Sequence, residues 1–207
     1  MLNCDILVPC KPLSLGKSRL APFLSAPQRY DLCRTLLDRT LAVACALAQP
    51  GRVFLLTGDA EAASRAAGVG ATVIDERANE LNAALTFGRD WIATERGLLD
   101  RLLVLPIDLP FAGEDDLMTV AGSLKDIAIA SDHGRSGTNL LMLRGRAAAT
   151  FRFQFGTDSF ARHCDSARRA RHSLDIIDSS ALAFDLDEPD HYLRAGRITV
   201  PKVLESI

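Results

Sequence analysis

A single α/β domain, with a mostly parallel central sheet flanked by helices, is expected on three grounds. Short apolar, β-rich runs alternate with helical patterns almost from end to end. No Pro/Ser/Gly linker, repeat or low-complexity tract interrupts that alternation. The 207 residues suit one domain with a substantial core, spanning 1–207, and fall short of two ordinary ones.

The first strand, Asp5 to Val8, is an unbroken apolar run after its first residue, as a parallel sheet covered on both faces requires. Pro9 ends it. A long loop leads to Ser25, which with Gln28 resembles a capping box, and Pro27 falls in the first turn. Leu32, Leu36, Leu37, Leu41 and Ala44 then recur at helical spacing and carry this helix to about Leu47. Its Ala- and Leu-rich face from Leu36 to Leu47 serves either the core or a homodimer interface. Strands follow at Val53 to Thr57, Ala71 to Asp75, Leu102 to Leu105, Ile127 to Ala130 and Leu140 to Leu143. Helices are expected at Ala60 to Ala67, Leu81 to Thr94, Glu114 to Ser123 and Ser159 to Ala170. The last third adds a strand near Leu174 to Ile177, a short strand at Ala183 to Leu186 and a helix from Pro189 to Ala195.

Composition removes several classes of function. Lys and Arg total 24 against 26 Asp and Glu, a net charge of −2, so no broad cationic field exists for nucleic acid or anionic lipid. Any anion must be met by a local site. The five cysteines (Cys4, Cys10, Cys33, Cys45, Cys164) form no C-x-x-C or Cys/His cluster and read as free thiols in a reducing cytosol. An acid, Asp5, stands where a signal peptide carries base, and no apolar run approaches a membrane span, so a cytoplasmic protein without membrane partners is expected.

Open parallel sheets bind ligands beyond the carboxyl ends of their strands. The loop leaving the first strand, Pro9-Cys10-Lys11-Pro12-Leu13-Ser14-Leu15-Gly16-Lys17-Ser18-Arg19-Leu20, gathers three cations, including two of the four lysines of the chain. Fixed cations and backbone N–H groups after a first strand suit a nucleoside triphosphate; a solvated surface loop would explain the same letters. Gly16-Lys17-Ser18 is not a Walker A motif, because Lys11 stands where its first glycine belongs and Pro22 forbids a helix starting at Ser18. Asp108, in Leu105-Pro106-Ile107-Asp108-Leu109-Pro110, would project at the carboxyl edge, where a metal bridging phosphates sits, or would cap the next helix. In Asp185-Leu186-Asp187-Glu188-Pro189 the alternation of a strand brings Asp185 and Asp187 to one face, where paired carboxylates want a cation; a cap for the last helix is the alternative.

Ser136-Gly137-Thr138-Asn139 and Phe155-Gly156-Thr157-Asp158-Ser159-Phe160 each combine glycine with small hydroxyls at the start of an element. The second opens a helix whose N-terminal N–H groups suit an anion. Turn glycines with capping by Asp158 or Ser159 explain each motif alone. In Asn79-Glu80-Leu81-Asn82-Ala83-Ala84, the small Ala83 and Ala84 would admit a flat base and Asn82 would bond sugar or base, while Asn79 as a cap accounts for the same residues. His163, His172 and His191 have no spacing that marks a metal site or triad, and no G-x-S-x-G is present.

Taken in order, Lys11-Pro12, Gly16-Lys17-Ser18-Arg19, Glu80-Leu81-Asn82, Asp108-Leu109-Pro110, Gly137-Thr138-Asn139-Leu140, Phe155-Gly156, Ser159-Phe160 and Asp185-Leu186-Asp187 resemble the 2-phospholactate guanylyltransferase family over about positions 5 to 195. The resemblance implies a Rossmann-like nucleotidyltransferase fold of the nucleotide-diphospho-sugar transferase type. It also implies transfer of GMP from GTP to phosphoenolpyruvate, 2-phospho-L-lactate or 3-phospho-D-glycerate, in biosynthesis of the deazaflavin coenzyme F(420). Carried over residue by residue, Asp108 and Asp187 would bind Mg2+ with Asp185 in reserve, and Thr138, Gly156 and Ser159 would hold the acid. Lys11, Gly16, Lys17 and Arg19 would bind the triphosphate, with Lys17, Arg19 and Asp108 catalytic, and Leu81 and Asn82 would lie against the base. Glu80 departs from the glycine more usual before Leu-Asn, and either pairs with guanine or faces solvent. A molybdopterin or sugar nucleotidyltransferase on the same fold, or a nucleotide-binding regulator without turnover, are the alternatives.

Overall fold

The computed structural model describes residues 1–76 and 80–195. Its chain forms one seven-stranded sheet in the order β3-β2-β1-β4-β6-β5-β7. The strands are β1 (Asp5–Pro9), β2 (Val53–Thr57), β3 (Thr72–Asp75), β4 (Arg101–Val104), β5 (Ile127–Ser131), β6 (Thr138–Arg144) and β7 (Leu174–Ile176). The helices are α1 (Ala26–Leu47), α2 (Ala60–Gly68), α3 (Leu81–Arg96), α4 (Glu114–Gly122), α5 (Arg146–Thr150), α6 (Ser159–Arg169) and α7 (Pro189–Ala195). Every pairing is parallel except those of β6, which runs antiparallel to both β4 and β5.

Side-chain alternation along β1 shows how the layers form. Ile6 and Val8 face one core, with Leu37 and Leu41 of α1, Ala62 and Ala66 of α2, and Leu117 and Val120 of α4. Leu7 faces the other, with Leu85 and Ile92 of α3, Ala147 and Ala148 of α5, and Phe160 and Ala167 of α6. Successive residues of a strand point to opposite faces, so an all-apolar strand is what two helical layers demand. The capping box at the start of α1 is present, with Gln28 N–H donating to Ser25 Oγ and Ser25 N–H to Gln28 Oε1. The Leu36-to-Leu47 face of α1 is core: Leu36, Leu37, Leu41, Ala44 and Leu47 are all buried within the chain, which removes that face from any homodimer interface.

Two expectations need correction. The segment Ala183 to Leu186 is not a strand. It is an extended strap with alternating burial, Leu182, Phe184 and Leu186 inward and Asp185 and Asp187 half-exposed, because it lies across the end of the sheet rather than beside it. Helix α5 was not expected; its five residues follow directly on β6. The cap considered at Asn79 lies outside the described residues, and Glu80 takes the N-cap position of α3 without its side chain accepting from a backbone N–H there. Among the described residues no helix is long and apolar enough to cross a membrane.

Candidate active site

The connection from β1 passes to β2 on one side, whereas β4 pairs with β1 on the other, so the sheet has its topological switch point between β1 and β4. That is where an open α/β sheet leaves a crevice beyond its carboxyl edge. Asp108 lies in the turn that follows β4, and the Lys11-to-Arg19 loop follows β1. Val104 stands opposite Leu141 in the antiparallel ladder, so Thr138 at the start of β6 emerges at this same edge.

Lys17 is the centre of the arrangement. Its ammonium donates to both Asp108 and Asp187, the second at 2.9 Å, and its side chain is 3% exposed. Burial alone would push the lysine pKa down, but the two carboxylates outweigh it and hold the group firmly charged. In turn burial works to raise the pKa of Asp187, and Lys17, followed by Arg19 and Lys11, brings it below the usual carboxylate range. Asp185 behaves oppositely. Half-buried and beside the charge of Asp187, it is pushed up. Lys17 sits in the left-handed region at φ 52, a conformation a non-glycine residue holds only under outside constraint.

A separate apolar cluster supplies that constraint. Leu20 from the loop, Leu32 and Leu36 from α1, and Phe184 and Leu186 from the strap pack together, with Phe111 and Tyr192 against them. Leu20 is three residues from Lys17 and Leu186 adjoins Asp187, so packing brings base and acid together. The strap is also tied to the edge by backbone bonds, Leu186 N–H to Asp108 C=O at 2.9 Å and His133 N–H to Ala183 C=O at 3.1 Å, and by Asn139 Nδ2 donating to Leu182 C=O at 2.9 Å. Gly16 is needed for close approach: a Cβ there would lie 2.3 Å from Cys33 Sγ on α1. Instead of opening an α-helix in the P-loop manner, Ser18–Leu20 form a single 3-10 turn. Lys11 and Arg19 are exposed, with Arg19 only 4.0 Å from Glu188 at its nearest approach, so both are free to turn toward a ligand.

The remaining expected residues fall into two places. Thr138 and Ser159 are both buried and bonded to each other, the Thr138 N–H donating to Ser159 Oγ at 2.8 Å. Gly156, exposed at φ +116, has open space where a Cβ would be, and its conformation is one that only glycine takes easily. The first N–H groups of α6 are not left free as expected: Ser159 N–H donates to Gly156 C=O and Phe160 N–H to Ser136 C=O, each at 3.1 Å. Asp158 occupies the N-cap position but makes no side-chain cap. Asn82 clamps this loop to α3, accepting from Phe155 N–H at 2.7 Å and donating to Phe155 C=O and Glu80 Oε1 at 3.1 Å. Leu81 is exposed beside it, whereas Ala84 packs into the core and is not a surface for a base.

Sequence reasoning missed His163. It accepts at Nε2 from Gln154 N–H and bonds Thr138 Oγ1 through Nδ1, both at 2.9 Å. Ser159 and His163 stand four residues apart on one helix, the spacing that puts two side chains on one face, and that was the available signal.

For a metal the donors are few. Among the described residues no group of three His, Cys, Asp or Glu could hold an ion. Two carboxylates that share one ammonium nevertheless converge closely enough to share another cation, and the all-oxygen pair suits magnesium, which takes one or two carboxylates and completes its shell with phosphate and water.

Residues 4–195 match the model of the family described as guanylyl transferase CofC like. The chain belongs to that family. By class it is therefore an enzyme, a nucleotidyltransferase. Among its relatives is the phosphoenolpyruvate guanylyltransferase of Sphaerobacter thermophilus, 37% identical over 185 residues, 88% of this chain and 87% of that one. Another is the 2-phospho-L-lactate guanylyltransferase of Methanothermobacter thermautotrophicus, 32% identical over 90% of this chain and 81% of that one. A structure from Desulfovibrio desulfuricans G20, assigned as a nucleotide-diphospho-sugar transferase, superposes with a TM-score of 0.68 at 18% identity, covering 86% of this chain and 80% of its own, and shows that the fold of the family is of that type.

Proposed function

We propose that this enzyme transfers GMP from GTP to the phosphate of a small phosphorylated acid, one of phosphoenolpyruvate, 2-phospho-L-lactate or 3-phospho-D-glycerate, releasing pyrophosphate. The convergence of Lys17 with Asp108 and Asp187 at the switch point carries the proposal. The names borne by the Sphaerobacter and Methanothermobacter relatives supply the base and two of the three acids. The product would enter biosynthesis of coenzyme F(420), in the cytoplasm, a compartment that suits five free thiols.

The chemistry asks for no base. An oxygen of the acceptor phosphate attacks the α-phosphorus of GTP, a P–O bond forms there, the bond to the β-phosphate bridging oxygen breaks, and pyrophosphate departs with that electron pair. A phosphate monoester has its second pKa near ~6, so the attacking group is already mostly dianionic at neutral pH. The barrier lies in bringing two polyanions together, which calls for positioning and charge neutralisation. Asp108 and Asp187, with Asp185 in reserve, would hold Mg2+, which would supply positive charge against the phosphates. Lys11, Lys17 and Arg19 bind the triphosphate, with Gly16 keeping their loop close to α1. Leu81 and Asn82 lie against the base, and Thr138, Gly156 and Ser159 receive the acid.

The test is pyrophosphate release with GTP, magnesium and each acid separately, with ATP and CTP as controls. Release with GTP and one acid is expected. No release with any acid from protein that binds GTP would overturn the proposal.

A further inference from the structure

The hydrogen-bond inventory around Thr138 can be solved for its protons. Gln154 donates its backbone N–H, an obligate donor, to His163 Nε2 at 2.9 Å, so that nitrogen carries a lone pair and no proton. The single proton of the neutral ring is then on Nδ1, which lies 2.9 Å from Thr138 Oγ1 and must donate to it. Burial, helped by the nearby charge of Arg162, lowers the His163 pKa to about 4, in keeping with a neutral ring. The ring is 1% exposed and packs against Phe151 and Phe155, with centroids at 5.7 and 5.0 Å. Thr138 Oγ1 therefore accepts from inside the protein, and its own proton has no acceptor among the described residues. Ser159 is wired in the same way, its Oγ accepting from Thr138 N–H at 2.8 Å. Each hydroxyl thus has one acceptor position occupied from within the protein and keeps its O–H to donate, and a donor of that kind suits an anion.

We infer that His163 is a positioning residue for the acceptor: by fixing Thr138 Oγ1 as an acceptor on its inner side, it directs the Thr138 hydroxyl proton at the anionic group of the phosphorylated acid. This rests on the proposed placement of the acid at Thr138, Gly156 and Ser159. His163 touches no substrate. It acts through Thr138 alone.

Steady-state kinetics on Thr138→Val, His163→Asn and His163→Gln test it. Asparagine can present an N–H where Nδ1 was, whereas glutamine carries its amide to the Nε2 position. The expected result is an acceptor KM raised about tenfold by Thr138→Val and by His163→Gln, the effect of about one hydrogen bond, with the GTP KM within twofold of wild type and His163→Asn close to wild type. An unchanged acceptor KM in His163→Gln, while Thr138→Val raises it, overturns the inference and leaves the acid's placement standing. An unchanged acceptor KM in Thr138→Val overturns the placement and the inference with it. Imidazole 15N spectra of the wild-type protein give a readout independent of turnover: a protonated Nδ1 is expected, and an Nε2–H ring would overturn the assignment.

Discussion

Replacing Lys17 with methionine removes the ammonium held between Asp108 and Asp187 and keeps most of the stem's volume. Deleting one partner of a fully buried ion pair costs about 3–5 kcal/mol. Here the Lys17 side chain is 3% exposed but those of Asp108 and Asp187 are 37% and 39% exposed, so water screens the charges left behind. The expected loss is therefore nearer to about 1–2 kcal/mol, a fall in Tm of about 2–8 °C for a chain of this size. The two ligands should respond in opposite directions. Without a resident ammonium the carboxylates are free for a divalent cation, and nucleotide-free affinity for Mg2+ should rise about tenfold, equivalent to about 1.4 kcal/mol. GTP should bind about tenfold more weakly, having lost a charge-assisted contact. Calorimetric titration of wild type and Lys17→Met with each ligand, with Asp108→Asn as the control that loses the cation, measures both. An unchanged or weaker cation affinity in a folded Lys17→Met would refute the competition of ammonium and metal for the same two carboxylates.

Asp108→Asn and Asp187→Asn should each cut pyrophosphate release by at least about a hundredfold with little change in circular dichroism, and wild-type turnover by either would remove it from the metal site. Gly16→Ala places a Cβ 2.3 Å from Cys33 Sγ and should cost about 1–3 kcal/mol of stability; adding Cys33→Ala should recover part of it, and no recovery would assign the strain elsewhere. His163 has a folded pKa of about 4, below its ordinary 6.5, so between those values the unfolded chain binds the extra proton. Stability should thus be fully present above about 6.5 and decline toward pH 4, by up to about 3 kcal/mol from this group, and urea titrations at several pH values should find a shallower decline in His163→Asn.

The layering of the fold was legible because it depends on local pattern. Parallel strands covered on both faces must be apolar throughout, and β1, β2 and β5 announce themselves that way. The reversal of β6 was not read from the sequence. In the structure only six residues, 132–137, join β5 to β6, too few for the crossover a parallel neighbour needs, which takes a dozen or more. Asp132 closes that turn by accepting from Ser136 and Gly137 N–H at 2.8 Å, and a Cβ on Gly137 would come within 3.0 Å of it, so the Ser-Gly-Thr motif first serves a hairpin. The strap was misread as a strand for a related reason. Alternating burial measures which side of a segment faces apolar surface, and here that surface is the cluster formed with Leu20, Leu32 and Leu36, not a neighbouring strand.

The chemical groups of the site were recognisable one at a time, because an anion site needs cations and a cation site needs carboxylates. Which group answers which was not, since Lys17 meets partners 91 and 170 residues away. The sequence offered Lys17 to a triphosphate; the fold gives it first to Asp108 and Asp187. Both assignments follow from one charge. In the fold the buried ammonium is the cation that the acid pair already holds, and it is the same charge that the sequence offers to phosphates. Asn82 followed the opposite course: its amide looked suited to a base, but both its ends engage the Phe155 backbone, so it fixes the loop carrying Gly156 and reaches a nucleotide only with whatever bonding capacity remains. Side chains with several donors or acceptors are thus the ones whose roles a sequence leaves open, because the fold commits some of that capacity before any ligand arrives.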